Sequence, residues 1–313
     1  MSTAANPGLA ARDAEDALDL IVRGQADPGT ACAYLGTERD GVLAELEALV
    51  PPWGETLRVI RDERGVAAVS VVDWDVETGR AWIHGPWARD DDAWAASARR
   101  LVEEMIARTP TEVSDYEISA SPVHGRMAEL AAELGWGRSD INIAYVTRGA
   151  GDGLKDLSKG LSEDESSGGP TGWPTDEEGV RAATPDDLAD IDPLHQAAFP
   201  GTYATARALL ADEERLTLRL DVDGEFAGYA SAEIQPDGAG YLDFIAIVAA
   251  YRGRSLSKPL LAAICRRILA ASTSASVSLT VKESNHAAVA LYESFGFVRD
   301  AELVGYRNAP YTG

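Results

Sequence analysis

An apolar run from Tyr241 to Val248 ends in a basic, glycine-containing turn, Arg252-Gly253-Arg254, which opens straight into a helical segment. Few local arrangements constrain a fold so tightly. The first N–H groups of a helix have no partner inside the helix, so a strand, short turn and helix in this order aim several free donors at one point. Cationic side chains on the turn strengthen the pull, and together they form the physical recipe for a pyrophosphate site. A second block follows downstream: a β-branched strand, Ser276 to Val281, then an Asn turn and a short helix closed by Gly296.

The two blocks, YRGRSLSKPLL at 251–261 and NHAAVALYESFGF at 285–297, resemble the signature of the GCN5-related N-acetyltransferase (GNAT) superfamily. That signature runs roughly V-x-P-x-Y-[RQ]-x-x-G-x-[GA], then N-x-x-A-x-x-L-Y-x-x-x-G-F. The resemblance implies an α+β fold, a twisted and mostly antiparallel sheet flanked by helices. It also implies acetyl-CoA as acyl donor, no metal, and direct attack of a primary amine on the thioester. It places the pyrophosphate on Arg252, Gly253, Arg254, Ser255, Leu256 and Ser257. Two of these depart from the pattern, since Ser255 and Ser257 stand at the family's glycine positions. Backbone donors survive that change and a hydroxyl adds one, while freedom at positive φ and close approach are lost. Either serine could instead cap the helix, and Pro259 falls within the first turn, where its missing N–H costs least.

Charge and length bound the function. The chain has 313 residues, enough for two domains. Its formal charge of −23 argues against a nucleic-acid backbone as partner. The charge reads either as a solubilising surface or as attraction for a cationic substrate. No window approaches the roughly 18 apolar residues of a membrane span, and the first residues lack the basic start and apolar block of a secretory signal. Cys32 and Cys265 have no metal-ligand spacing and form no disulfide framework, so a cytoplasmic protein is expected. Assembly into a homodimer stays open.

Composition divides the chain. Residues 149–179 are rich in Gly, Ser, Pro and acid without periodicity and read as a flexible linker, leaving domains at 1–148 and 180–313. After the linker, Thr184-Pro185-Asp186 is a strong helix start, and Asp223-Gly224 turns a hairpin. The first half repeats the plan: a strand pair at 58–75, a strand at 80–88, a helix at 92–107, a strand at 114–120 and a helix at 124–136. Laying Gly135 on Gly296, an offset of 161, puts His124 on Asn285 and Ala131 on Tyr292. This is the pattern of a tandem duplication whose first copy has lost the functional positions. Two unrelated α+β domains are the alternative. At the first copy's turn stand Asp90, Asp91 and Asp92, three carboxylates that would repel a pyrophosphate.

Acyl transfer to an amine needs a proton acceptor, donors for the oxyanion and an acid for the departing thiolate. By the resemblance, the oxyanion donor is the backbone N–H of Ile245, with Ile247 next along the pantetheine. Tyr292 stands at the thiolate-protonating position, and its phenol suits a thiolate better than a carboxylic acid does. Asn285 is an expected N-cap that also touches the CoA. Asp243 and Glu233 are the candidate bases, Asp243 lying two residues before Ile245 on the same strand, so that both point to one face. The acceptor is an amine, on a small molecule or a peptide. His195 and His286 are expected at the surface or as caps. Six of the seven tryptophans lie in the first half, filling its core, unless Trp82 and Trp87 line a pocket.

Overall fold

The computed structural model describes residues 11–148, 179–236 and 238–309; all of the 149–179 linker but Gly179 lies outside them. The chain forms two compact units. One is Met1–Asn142 with Ala301–Tyr311, and the other runs from Ile143 to Asp300. This differs from a division at 148 and 180. Composition marks where a chain loosens, but it carries no information on which sheet edge a strand pairs with.

The first unit opens with α1 (Ala11–Gln25), α2 (Arg39–Glu47) and the short α3 (Trp53–Thr56). Strands β1 (Arg58–Asp62), β2 (Gly65–Asp75) and β3 (Arg80–Ala88) pair antiparallel in sequence. After α4 (Asp91–Ile106) the chain returns as β4 (Asp115–Ala120), parallel to β3. Helix α5 (Gly125–Leu134) leads into β5 (Gly137–Arg148), which carries the chain out of the first unit. The other edge of β4 is taken by the end of the chain, within β11 (Val298–Arg307), where Val304 to Arg307 lie antiparallel to Ala120 to Glu117. Val304 and Tyr306 are buried in this unit's core among Ile118, Val71 and Trp87.

The second unit repeats the order. A 3₁₀ turn at Pro185–Asp187 follows β6 (Val180–Ala182), closed by a capping box between Thr184 and Asp187. The expected helix start is therefore real, although the first turn is tighter than α. Then come α6 (Leu188–Ala198), α7 (Ala206–Ala211), β7 (Leu216–Val222), β8 (Glu225–Ile234) and β9 (Gly240–Ile247). Strands β6 to β9 are paired antiparallel in sequence. Asp223 and Gly224 both take positive φ, 54° and 83°, as a two-residue hairpin turn requires. Helix α8 (Ser257–Ala271) crosses over to β10 (Ser276–Lys282), which runs parallel to β9, and α9 (His286–Ser294) follows. The other neighbour of β10 is β5, whose residues from Ile143 onward belong to this unit.

The internal repeat is visible at the level of single hydrogen bonds. His124 Nδ1 accepts from the Met127 N–H at the start of α5, and Asn285 Oδ1 accepts from the Ala288 N–H at the start of α9. Both pairs are related by the offset of 161, and Gly135 and Gly296 end the two helices at φ 73° and 85°. Among the tryptophans, Trp53, Trp87 and Trp94 are buried, and Trp74 and Trp136 pack partly against the same core. Trp87 donates its indole N–H to Gln25 Oε1 at 3.1 Å and is 1% exposed, so it is a core residue. Among the described residues no helix is long and apolar enough to cross a membrane.

Candidate active site

The site is built on the parting of two parallel strands. β9 and β10 are paired only from Gly240–Val277 to Leu242–Leu279, yet β9 continues to Ile247. Beyond Leu242 they diverge, and the edge of β9 that faced β10 becomes free. The parting coincides with a bulge. Leu242 sits opposite Ala232 and Phe244 opposite Ser231, leaving Asp243 as the extra residue. A bulge bends its strand and re-aims side chains, and here it changes which residues face which helix. A Cβ on Gly240 would run into Ile268 of α8, whereas Phe244 packs against His195 and Phe199, which belong to α6 and its end. The alternation that would carry Asp243 and Ile245 to one side is therefore interrupted between them. Ile245 and Ile247 are half-buried along the diverging stretch.

At the far end of β9 the turn runs into α8. Gly253 takes φ +77° and Ser255 φ +60°. The serine has thus adopted the left-handed conformation a glycine would take, at a cost of about 1–2 kcal/mol for an L residue. Neither serine caps the helix: the N-cap is Leu256 and it makes no side-chain capping bond. Among the described residues the backbone N–H groups from Gly253 to Leu256 find no protein acceptor, while Lys258 N–H reaches back to the Ser255 carbonyl at 3.1 Å. Arg252 donates to the Ile247 carbonyl at 3.0 Å, and the Arg254 guanidinium lies 5.3 Å from the Tyr251 ring centre. The donor set suits an anionic group.

Tyr292 lies on α9, buried, with its ring 5.8 Å from Phe297 and 6.5 Å from Tyr145. Burial pushes its phenol upward, reinforced by neighbouring Cys265 and Tyr241, so it holds its proton throughout the neutral range. Tyr241 donates to Thr280 Oγ1 at 3.1 Å, across the top of the parting strands. Asn285 caps the same helix as expected.

The two carboxylates are held by a residue with no mark in the sequence. Arg215, next to β7, donates from Nη1 to Asp243 Oδ2 and from Nη2 to Glu233 Oε2. Burial pushes the Asp243 carboxyl up, to about 8, and the guanidinium against it works in the opposite direction. Tyr145, on β5, is the other residue the sequence left unmarked; its hydroxyl donates to Glu293 at 2.8 Å. His195, expected at the surface or as a cap, is buried, with Nε2 on the Ala204 carbonyl at 2.9 Å and Nδ1 close to the Tyr229 hydroxyl. Its place one turn before the end of α6 points it inward, and burial lowers its pKa. Among the described residues no group of three or more His, Cys, Asp or Glu could hold a metal ion.

The same parting exists in the first unit, where it is filled. β3 and β4 are paired only through Trp82–Glu117, and β3 runs on to Ala88. The vacated edge of β4 is taken by Ala31–Ala33: Ala33 N–H donates to Ser119 at 2.6 Å and Ser121 N–H to Ala31 at 3.1 Å, around a bridge between Cys32 and Ala120. Cys32 Sγ also approaches the Pro86 carbonyl on β3 at 3.8 Å. Gln25 ties the segment down, accepting from Cys32 N–H at 2.8 Å and donating to the Leu35 carbonyl at 2.9 Å. At the turn, Asp90 caps α4 with its own carboxylate on the Ala93 N–H at 2.9 Å. Cys32 and Cys265 are both free and buried.

Residues 185–297 match the model of the acetyltransferase (GNAT) family. No curated protein matches the chain. Among solved structures, a GCN5-related N-acetyltransferase from Sphaerobacter thermophilus superposes over 93% of this chain and 90% of its own, with TM-score 0.62 at 17% identity. A tandem GNAT protein from the clavulanic acid biosynthesis pathway covers 96% of this chain and 98% of its own, with TM-score 0.54 at 16% identity. A GCN5-related N-acetyltransferase from Kribbella flavida covers 86% and 95%, with TM-score 0.54 at 14% identity. The family match lies on the parted strands and the turn of the second unit, and the repeated architecture is that of a tandem GNAT protein, so the chain has a tandem GNAT fold.

Proposed function

We propose that the second unit is an acetyl-CoA-dependent N-acetyltransferase that passes an acetyl group directly to a primary amine, and that the first unit takes no acyl-CoA. The observation that carries this reading is the contrast between two equivalent clefts. In the second unit the strands part beside a turn of unpaired donors; in the first, the chain itself lies in the gap and an aspartate caps the helix. In the second unit the turn from Arg252 to Ser257 takes the pyrophosphate, the oxyanion leans on the Ile245 N–H, and Ile247 and Asn285 border the CoA. The amine attacks the thioester carbonyl, and its proton leaves toward the Glu233–Asp243 side. As the C–S bond breaks, Tyr292 gives its proton to the thiolate. The acceptor is an amine on a small molecule or a peptide, and the setting is cytoplasmic.

Titration calorimetry of the full chain with acetyl-CoA is expected to show one site per chain, weakened by added salt as charge-assisted contacts are screened. An amine panel read by release of free thiol then identifies turnover. Tyr292→Phe is expected to lower kcat about 10²–10⁴-fold with acetyl-CoA affinity intact. Two sites per chain, or an unchanged kcat in the Phe variant, would overturn the assignment. Binding without turnover of any amine would mark an acyl-CoA sensor instead.

A further inference from the structure

Arg215 lies outside both sequence blocks, yet it sits at the closed end of the cleft. Its side chain is 10% exposed. It joins Glu233 on β8 to Asp243 on β9, and Asp212 stands 3.9 Å from its Nε. Three acids around one cation leave an excess of negative charge. Asp243 is the bulge residue at the point where β9 and β10 part. Its side chain has no exposure, and its second oxygen, Oδ1, is buried without a hydrogen-bond partner among the described residues. Glu233 is about one-third exposed and pairs across the strands with Tyr241, a phenol near enough to Tyr292 to help keep it protonated. The cluster therefore adjoins the tyrosine that faces the leaving thiolate.

His195, Tyr241, Tyr292 and Cys265 add no positive charge to the cluster. His195, whose ring lies 4.9 Å from Phe244, holds both nitrogens in hydrogen bonds to Tyr229 and Ala204, with burial keeping it neutral. Tyr241 and Tyr292 are uncharged phenols whose burial keeps them so, and Cys265 is a buried thiol held in its neutral form.

We infer that Arg215 is a positioning residue of the acceptor side: it fixes Glu233 and Asp243 as a pair of carboxylates at the closed end of the cleft and so selects an acceptor that arrives as a cation, an alkylammonium rather than a neutral amine. This rests on the acetyltransferase reading. An ammonium entering there meets the half-buried carboxylate of Glu233 and supplies the positive charge that the cluster lacks. Without the guanidinium, Asp243 would have to stay protonated to remain buried, and Glu233 would lose its anchor.

The test compares Arg215→Gln and Arg215→Lys with the unaltered full chain. In the Gln variant acetyl-CoA affinity is expected to stay within about twofold. KM for a primary alkylamine should rise at least about tenfold, while an arylamine, neutral at pH 7, changes less. The acid limb of the kcat/KM profile should move up by about one pH unit, and Lys should restore most of both effects. A readout free of turnover accompanies these. With its counter-ion gone, Asp243 binds a proton in the native state and loses it on unfolding. Thermal stability of the Gln variant should therefore fall as pH rises from about 5 to 8, relative to the unaltered protein. An unmoved acid limb and a parallel pH–stability curve in a Gln variant that still binds acetyl-CoA would overturn the inference. If the unaltered protein turns over no amine, the acetyltransferase reading fails, and the stability comparison still decides whether Arg215 holds the two acids.

Discussion

His124 performs in the first unit the task of Asn285 in the second, and the exchange of an amide for an imidazole makes the first unit sensitive to acid. The ring accepts a backbone N–H through Nδ1, which only the neutral form can do. Burial lowers its pKa to about 4, aided by the nearby Arg126 charge, so the unfolded chain binds a proton at pH 5 that the native state refuses. Stability therefore rises with pH through this window and is lost as pH falls from about 6.5 toward 4. At pH 5 the loss is on the order of 2 kcal/mol. His124→Asn keeps a capping acceptor and removes the proton, so urea unfolding at pH 5 and pH 7 should give a flatter dependence in that variant. An identical slope in both proteins would assign the acid sensitivity to other groups. The turn of the second unit raises a different residue-level point: Ser255 departs from the family pattern in chemistry but not in conformation, since its φ of 60° is the one a glycine would adopt.

Among the elements, that turn can be tuned in either direction. Ser255→Gly relieves the left-handed strain, about 1–2 kcal/mol, but adds chain entropy worth about 0.5–1 kcal/mol. The net expectation is a gain of up to about 1.5 kcal/mol in urea unfolding, with acetyl-CoA affinity held or improved. Gly253→Ala should cost stability through φ alone, because an added Cβ there meets nothing within 4 Å. A large loss of acetyl-CoA binding in Ser255→Gly would mean that the hydroxyl is itself a ligand. Elements such as this one were readable from sequence because their signals are local. Thr184 and Pro185, Asp223-Gly224, Asn285 and Gly296 each act within four residues. What escaped reading acts between strands: the bulge that makes Asp243 the extra residue, the reach of Arg215 to two neighbouring strands, and the seating of Ala31–Ala33 on β4. The acidic run at Asp90–Asp92 shows in the structure as a helix cap, Asp90 on the Ala93 N–H. Nothing in the residues around Cys32 announced that they would fill the gap.

For the whole molecule, the unexpected feature is that each unit completes its sheet with a strand from beyond the compositional boundary. The core of the first unit includes Val304 and Tyr306, at 0% and 2% exposure, and the Arg307 guanidinium pairs with Asp115. Burying two such side chains stabilises by about 1.5–3 kcal/mol each, a large share of the roughly 5–15 kcal/mol that holds a domain folded. A chain ending at Asp300 is expected to lose most of the stability of its first unit. Tryptophan emission reports this directly, because the buried tryptophans Trp53, Trp87 and Trp94 lie there. Unshifted emission and an unchanged first unfolding transition would show that the strand is dispensable.

That dependence has a consequence in time. A ribosome makes about 5–20 residues per second, and about 160 residues separate Asn142 from Ala301. For roughly 8–30 seconds the first half of the chain exists with one edge of β4 unpaired, able to collapse but not to close. Its last strand is synthesised only after residues 143–300 of the second unit. Completion of the first unit thus reports that translation has passed through the second, and protease digestion of chains stalled just before Ala301 would catch the first unit still open.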